Sequence, residues 1–439
     1  MSRQKRWGHS GWQRALLPLM AMMVMAAALL GSAREAQAYN TPWGKGLSRP
    51  EDLVISLATF SPGDQIPQWF GHTALVVEDR RFNTSRLYNY GMFSFGDGML
   101  MNFAMGRLLF WVAPAPVAPT YQFYIAEDRD VRVIELNLPP ETRAEVAAFL
   151  ADNVRPENRE YLYHHYDDNC ATRVRDIIDR SVGGQFNDAF DQADSLTLRG
   201  HTRRHSQHLK PMDWLLMFLM NNEIDRPIAV WDAMFLPEVL EEAVLDFEYV
   251  DEEGNTQPLA LRTHRVFESS RAPTPETPAT HWPFWAGVGV LLGALSTLLG
   301  WRASRHPGRR GPRVVFGLVL GAVAGVFGLV GTGLFVMAAM TDHTVTYWNL
   351  NLLLANPLTL LGAFFALRVA FGSEGSRGGL RLIWRALAAL AILGLLAQLV
   401  GLIWPTIFQN MLLPLALLLP WVLGAAAGVE LACRRRQAA

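Results

Sequence analysis

Apolar stretches long enough to cross a membrane recur in the last third of this 439-residue chain. A helix of about 20 apolar residues spans the hydrocarbon core of a bilayer. Between the N-terminus and about position 280, polar and apolar residues are mixed. We therefore predict a folded domain followed by an all-α transmembrane bundle of about five helices. The five apolar stretches are 283–301, 314–340, 352–371, 386–404 and 411–433.

The positions of the arginines predict how this bundle is oriented. Arginines follow the first, third and fifth stretches, whereas the intervening loops carry almost no positive charge. Lys and Arg accumulate on the cytoplasmic side of membrane proteins. We therefore expect a multi-pass protein of the bacterial cytoplasmic (inner) membrane, with its first domain and the loop 341–351 in the periplasm. The arginines are Arg302, Arg305, Arg309, Arg310 and Arg313, then Arg377, Arg381 and Arg385, then Arg434, Arg435 and Arg436.

The N-terminus has the layout of a secretory signal peptide. Basic residues precede an apolar run, and the small residues Ala36 and Ala38 flank Gln37. This pattern predicts cleavage after Ala38. The alternative is an uncleaved first transmembrane helix, and under both interpretations the domain after it is exported. The predicted segments are a signal peptide at 1–38, a periplasmic catalytic domain at 39–268, a linker at 269–282 rich in proline and threonine, a membrane domain at 283–433 and a cytoplasmic tail at 434–439.

The segment 39–268 mixes the sequence periods of strands and helices. Residues 53–60 and 73–77 are rich in β-forming side chains, and 141–154 has helical spacing. We expect 121–125 and 131–138 to form an antiparallel pair. The predicted fold class of this domain is α+β. The formal net charge of −1 gives no general attraction to phosphate backbones, so we expect no nucleic-acid partner.

The cysteines are the best guide to the chemistry, because the chain has only two. Cys433 ends the last apolar stretch, so Cys170 is a lone thiol in an exported domain, where an unpaired structural thiol invites oxidation. Asn169 is a typical helix N-cap residue, and Cys170 would open that helix. The helix dipole and the unpaired amides of Asn169, Cys170 and Ala171 then favour a thiolate and a site for an oxyanion. The alternative is a small buried cysteine at a helix start.

A thiolate nucleophile needs a base, and His72 at the mouth of a predicted strand is the candidate. A histidine at a strand edge is also a common structural residue, so its position alone leaves both roles open. A third residue would orient the imidazole. We predict Asn89, on the next strand, in this role.

These residues together resemble a known arrangement. The strand Gly-His-Thr-Ala-Leu from Gly71, the later Tyr-Asn-Tyr-Gly from Tyr88 and the helix start Asn-Cys-Ala-Thr-Arg from Asn169 resemble the circularly permuted papain-like fold of NlpC-like peptidases and lecithin:retinol acyltransferase (LRAT) relatives. The segments 52–75, 169–179, 231–240 and 343–357 resemble the Lnb family of bacterial lipoprotein N-acyltransferases, which have a periplasmic domain ahead of a membrane domain. The resemblance implies Cys170 as nucleophile and His72 as base, without a cofactor.

The predicted reaction is a ping-pong acyl transfer. Cys170 attacks an ester carbonyl of a phospholipid acyl donor, His72 protonates the departing lysophospholipid, and the acyl group rests as a thioester. By resemblance, the acceptor is the α-amine of a diacylated lipoprotein. One alternative is a membrane-anchored NlpC-like cysteine peptidase or amidase that acts on the cell wall, although it would need only one span. Another is a lipoprotein-binding or trafficking module in which Cys170 is incidental.

Two further polar clusters have less specific interpretations. His201, His205 and His208 have helical spacing, but basic residues lie among them and no carboxylate or thiolate lies in the run, so we predict a solvated or headgroup-facing basic patch and no metal site. The outer loop between two spans is unusually polar, which suggests lipid or substrate positioning or docking of the catalytic domain. A hydrated helix end is the alternative. Its polar residues are Asp342, His343, Asn349, Asn351 and Asn356.

Overall fold

The apolar run near position 53 forms a central strand of an antiparallel sheet. The computed structural model describes residues 41–93, 98–306 and 308–433, so the predicted signal peptide and the last three arginines lie outside the described residues. The strands are β1 (Leu53–Phe60), β2 (His72–Asp79), β3 (Thr84–Met92), β4 (Leu109–Ala115), β5 (Val131–Leu136), β6 (Glu160–Leu162), β7 (Glu248–Val250), β8 (Thr256–Pro258) and β9 (Ala260–Phe267).

Helices separate these strands and fill the C-terminal part of the chain. They are α1 (Met99–Ala104), α2 (Val117–Ala126), α3 (Pro140–Asn153), α4 (Cys170–Ser181), α5 (Gln185–Ala189), α6 (Leu198–Ser206), α7 (Lys210–Leu219), α8 (Val230–Ala233), α9 (Pro237–Asp246), α10 (Trp282–Arg305), α11 (Arg310–Met340), α12 (Pro357–Ala370), α13 (Ser376–Ile403) and α14 (Leu412–Cys433). Short 3-10 helices cover Trp43–Lys45, Pro50–Asp52, Ile66–Gln68, Asn222–Asp225, Thr344–Thr346, Leu350–Leu353 and Pro405–Ile407.

Contacts between residues divide the chain into two units. Among the described residues, the first contains 41–93, 98–100, 108–192 and 230–272, and the second contains 101–107, 193–229, 273–306 and 308–433. The units therefore differ from the two consecutive segments that the sequence indicated, because two excursions of the N-terminal segment group with the C-terminal helices.

The first unit is built on a seven-stranded sheet. Its order is β6-β4-β3-β2-β1-β5-β9, with antiparallel neighbours throughout, while β7 and β8 form a separate hairpin. Every side chain of β1 is buried, because helices cover both faces of the sheet. α3, α4 and α9 pack on one face, and α2 packs on the other. The α+β prediction is confirmed.

One predicted hairpin is wrong. The segment 121–125 is helical and belongs to α2, whereas β5 pairs with β1 and β9. Aromatic residues favour strands when read locally. In the folded unit, Tyr124 instead stacks on Phe60 of β1, with ring centroids 3.7 Å apart, and this packing is made from a helix.

Among its described residues, the second unit contains four helices that are long and apolar enough to cross a membrane, α10, α11, α13 and α14, or five spans if a bent pair counts as one. The bent pair joins residues 344–353 to α12 at 45°. The third predicted stretch, 352–371, is thus interrupted: Asn356 caps α12, and Pro357 occupies its first position. Proline is well tolerated there because that amide has no intrahelical partner. The prediction of a helical bundle with about five spans is confirmed as four to five.

Glycines allow α10 and α14 to pack backbone against backbone. A β-carbon on Gly289 or Gly293 would collide with main-chain atoms of α14, and one on Gly428 would collide with main-chain atoms of α10. Small residues permit this approach in membrane helices, where van der Waals packing drives association. The first and last long helices of the unit are therefore direct partners.

Candidate active site

The candidate nucleophile lies at a capped helix start, as the sequence predicted. Asn169 has an extended backbone, and its Oδ1 accepts hydrogen bonds from the backbone N–H groups of Ala171 (2.8 Å) and Thr172 (3.0 Å). In return, the Thr172 hydroxyl accepts a hydrogen bond from the Asn169 N–H at 2.7 Å. This is a capping box, and it fixes Cys170 as the first residue of α4.

Asn169 also ties this helix start to two other segments. Its side chain is buried, and Nδ2 donates to the carbonyl oxygens of His165 (2.8 Å) and Phe235 (2.9 Å). Every polar atom of this amide is therefore used within the protein. We conclude that Asn169 positions Cys170 and has no atom left for substrate.

His72 and Asn89 meet where two neighbouring strands separate. The pairing of β2 and β3 begins at Leu75 opposite Tyr88, so the strand ends beyond this pair are free to diverge. Across the opening, His72 Nε2 lies 2.7 Å from Asn89 Oδ1. An amide oxygen only accepts, so Nε2 carries the proton and Nδ1 presents its lone pair. The structure brings these two predicted residues together, and the catalytic role of Asn89 stays a prediction.

Gly91 provides the space that His72 and Cys170 share. A β-carbon on Gly91 would lie 3.8 Å from Cε1 of His72 and 3.9 Å from Cβ of Cys170. Its φ of 104° is also a conformation that residues with a β-carbon rarely adopt. The imidazole and the thiol-bearing side chain thus flank one position, which brings the candidate base into the neighbourhood of the candidate nucleophile.

The expectation of a depressed thiol pKa is wrong for the protein without a ligand. Burial raises the pKa of Cys170 to about 11, although backbone N–H groups of Thr73, Ala171 and Cys170 itself act in the opposite direction. Desolvation disfavours the charged form of a thiol. At this helix start, its effect exceeds that of the nearby amides.

His72 is neutral for a related reason. Burial lowers the pKa of His72 to about 4, against the hydrogen bond that Nε2 donates to Asn89, which acts to raise it. At neutral pH the resting pair is therefore a thiol beside a neutral imidazole. Such a pair can act by transferring the proton to Nδ1 as the sulfur attacks, without a preformed ion pair.

The predicted oxyanion site is only partly available. The Ala171 N–H already donates to Asn169 Oδ1. The Cys170 N–H, which lies close enough to its own sulfur to lower the pKa of the thiol, remains a candidate donor. The backbone N–H of Thr73, which also acts on the sulfur, is a further donor that the sequence did not reveal.

A cleft of about 180 Å³ opens beside His72 and Asn89. Sequence reasoning missed one of its residues, Arg129, whose side chain is buried. The sequence around it, Asp128-Arg129-Asp130, is typical of an exposed charged turn, so no local signal marked it. The other lining residues are Pro67, Gln68, Gly71, Gly91, Phe123 and Tyr124.

Three asparagines of the polar loop make structural hydrogen bonds within the second unit. Asn349 Nδ2 donates to Leu219 O at 2.8 Å, and Asn351 Nδ2 donates to Phe218 O at 2.9 Å, so both hold the end of α7. Asn356 Oδ1 accepts from the Leu358 N–H and caps α12. These bonds satisfy the Nδ2 atoms of Asn349 and Asn351 and the Oδ1 atom of Asn356. A role of the three in substrate positioning stays a prediction.

Asp342 and His343 are more accessible. Asp342 forms an exposed salt bridge with Arg107 (2.7 Å), and His343 Nε2 lies 3.1 Å from the carbonyl oxygen of Phe103. Both contacts join the loop to the excursion 101–107 of the same unit. Their predicted role toward lipid stays a prediction.

The expected basic patch around His201 is solvated only in part, because His208 is exposed whereas His201 and His205 are not. His201 and His205 are buried in α6, and His201 Nε2 lies 3.1 Å from Asp194 Oδ1. His208 Nδ1 lies 2.9 Å from the carbonyl oxygen of His205. His201 and His205 are four residues apart, so both lie on the side of α6 that packs within the second unit. Within 41–93, 98–306 and 308–433, no group of three or more His, Cys, Asp or Glu residues is arranged to hold a metal ion.

Comparison with known proteins places this site within a described domain. A family model described as the Lnb N-terminal periplasmic domain matches residues 39–204, which include His72, Asn89 and Cys170. No curated protein matches the chain significantly. No solved structure does so either.

Proposed function

The chain belongs to the Lnb family through its N-terminal periplasmic domain, and from this premise we propose that it is a membrane-bound lipoprotein N-acyltransferase. The observation that carries the proposal is the alignment of three side chains. Asn89 holds the imidazole of His72 at 2.7 Å, and that imidazole shares the space beside Gly91 with Cys170 at a capped helix start. These contacts support a cysteine nucleophile with an oriented base.

In the first half-reaction, the Cys170 sulfur attacks an ester carbonyl of a phospholipid. His72 Nδ1 takes the thiol proton as the S–C bond forms, and then gives it to the departing alkoxide as the C–O bond breaks. The products are a Cys170 thioester and a lysophospholipid. The N–H groups of Cys170 and Thr73 are the candidate donors to the tetrahedral oxyanion.

In the second half-reaction, the α-amine of a diacylglyceryl-cysteine attacks the thioester. His72 accepts the amine proton and returns it to the sulfur, so that the thiol is restored and an amide is formed. Both substrates are bilayer-embedded, which gives the four to five apolar helices a function: they keep the thiol domain at the membrane. The proposal includes the inner membrane as location and its periplasmic face as the side of the reaction.

The decisive experiment is to incubate the purified full-length protein with phospholipid vesicles and measure its intact mass. We expect a fatty-acyl adduct on Cys170 that is lost when a diacylated lipopeptide with a free α-amine is added. Cys433→Ala is the matched control and should behave as wild type, whereas Cys170→Ala should form no adduct. His72→Ala should slow adduct formation by about 10²- to 10⁴-fold, the usual contribution of a general base.

Three results would contradict this proposal. One is N-acylation that persists in the Cys170→Ala protein. Another is an adduct that forms but never passes to the amine. The third is cleavage of cell-wall fragments without any acyl adduct, which would favour the cysteine peptidase or amidase.

A further inference from the structure

A buried cation lies in the cleft beside the candidate nucleophile and base. Arg129 follows α2, and only 2% of its surface is exposed. It lines the same cleft as His72 and Asn89. Gly91 lines the cleft as well, and a β-carbon added there would lie 3.8 Å from Cε1 of His72 and 3.9 Å from Cβ of Cys170.

The guanidinium is only partly satisfied by the protein. Its Nε donates to the Ser61 carbonyl oxygen at 2.6 Å, and the carbon at its centre lies 4.6 Å from the centroid of the Tyr124 ring. Its ion pair with a carboxylate is long, since Oε2 of Glu127 lies 3.6 Å from Nη1. The second terminal nitrogen, Nη2, is buried and has no hydrogen-bond partner among the described residues.

A buried guanidinium with an unused N–H donor is energetically unfavourable unless a ligand accepts the missing hydrogen bond. Arginine stays protonated in proteins, and a buried charged donor without a partner loses its hydration without compensation. Buried polar groups are nearly always paired, so each exception calls for an explanation. Here the exception lines an open cleft, where an anionic ligand has room to accept the missing hydrogen bond.

We infer that Arg129 binds the phosphate of the phospholipid acyl donor, an inference that rests on the proposed function. In a glycerophospholipid only a few bonds separate the phosphate from the ester carbonyls, so the group that binds phosphate must share a cleft with the nucleophile. Arginine suits this task because its planar fork matches phosphate oxygens.

The same reasoning gives Arg129 a role in one half-reaction only. The donor carries a phosphodiester, whereas the lipid part of a diacylglyceryl-cysteine acceptor is joined through a thioether and has no phosphate. Arg129 therefore contributes to thioester formation and not to thioester discharge. A residue that merely supports the fold, or that tunes the thiol, would affect both steps.

The test compares two acyl donors of equal chain length. With a short-chain phosphatidylglycerol, Arg129→Met should lower kcat/KM for thioester formation by roughly 10- to 100-fold, the value of a charge-assisted hydrogen bond. With an uncharged p-nitrophenyl ester, the same variant should stay within about threefold of wild type. Arg129→Lys should be intermediate on the phospholipid. Arg80→Met is the matched control, because Arg80 is an exposed arginine of the same unit.

Glu127→Gln should change phospholipid binding in the opposite direction from Arg129→Met. Removing the carboxylate that competes with phosphate for Nη1 of Arg129 should strengthen phospholipid binding by a few fold. A purely structural role of Arg129 would not produce this increase. The Gln side chain can keep a hydrogen bond with Gln68, whose Nε2 lies 3.0 Å from Glu127 Oε2. This variant keeps the inference testable even if Arg129→Met fails to fold.

Binding is measured separately by protection of Cys170 from alkylation. Lysophosphatidylglycerol should protect wild type better than the matching uncharged monoacylglycerol, and Arg129→Met should remove the difference. Equal protection in wild type and variant, or equal losses with both acyl donors, would overturn the assignment. If wild type shows phosphate-dependent protection but forms no thioester, the acyltransferase proposal fails while the anion site stands.

Discussion

Cys170 should be a slow nucleophile as a free thiol, despite its place at the start of α4. Burial raises its pKa from the ordinary 9.0 to about 11. Because each step of one in pKa is a tenfold change in the ionised fraction, the thiolate population at pH 7 is about 100-fold lower than that of an ordinary cysteine. The thiolate is the species that reacts with alkylating reagents. We therefore expect slow labelling at neutral pH and a steep rise in alkaline solution.

The assay is iodoacetamide labelling of the Cys433→Ala protein between about pH 6 and pH 11, followed by mass spectrometry. A small model thiol in the same buffers is the reference. The midpoint of the pH profile is the quantity to compare, because steric shielding slows labelling at every pH without moving the midpoint. The midpoint for Cys170 should lie well above that of the model thiol.

Asn89→Asp perturbs the pair in a defined direction. A carboxylate opposite His72 Nε2 favours the imidazolium, and a neighbouring imidazolium favours the thiolate. The labelling midpoint should therefore fall in this variant. A wild-type midpoint below about pH 8 would refute the reasoning, since it would show that the helix start outweighs burial and that an ion pair already exists in the protein without a ligand.

Three further results are expected. His72 is neutral in the folded protein, with a pKa of about 4 against 6.5 for an exposed histidine. Its contribution to the free energy of unfolding should therefore be complete above pH 6.5 and fall by at most about 3 kcal/mol as the pH drops toward 4. Denaturant unfolding of wild type and His72→Gln would show whether the loss disappears in the variant. Asn169→Ala should lower the unfolding free energy of the first unit by about 1–2 kcal/mol, measured against Thr197→Ala at the α6 cap of the second unit; an unchanged first unit would contradict the capping role. Reporters fused after Thr341 should be periplasmic and those after Arg310 cytoplasmic, and the reverse pattern would contradict the proposed orientation.

The sequence predicted what depends on local pattern. The buried strand β1 appears as a continuous run of β-forming residues, and the start of α4 is visible because Asn169 is followed by apolar residues at helical spacing. The approximate positions of the long apolar helices follow from hydropathy alone.

Features that depend on packing were not predicted. Aromatic residues of 121–125 suggested a strand, but the stacking of Tyr124 on Phe60 could not be seen without knowing how the sheet is covered. The thiol pKa was predicted in the wrong direction because sequence shows a helix start and does not show desolvation. Arg129 looked like part of an exposed turn between two acidic residues, and only the folded structure shows that it is buried.

The pairing of α10 with α14 has a consequence for biosynthesis. The glycines of α10 leave it without bulky side chains on the face that meets α14, so its partner surface is complete only when the last helix of the chain has been made. During synthesis, 106 further residues, from His306 to Met411, are added after α10 before α14 begins. A chain that stops before residue 412 should therefore leave α10 with only its smaller contact with α11 and open to proteolysis, although every residue of the first unit has been synthesised.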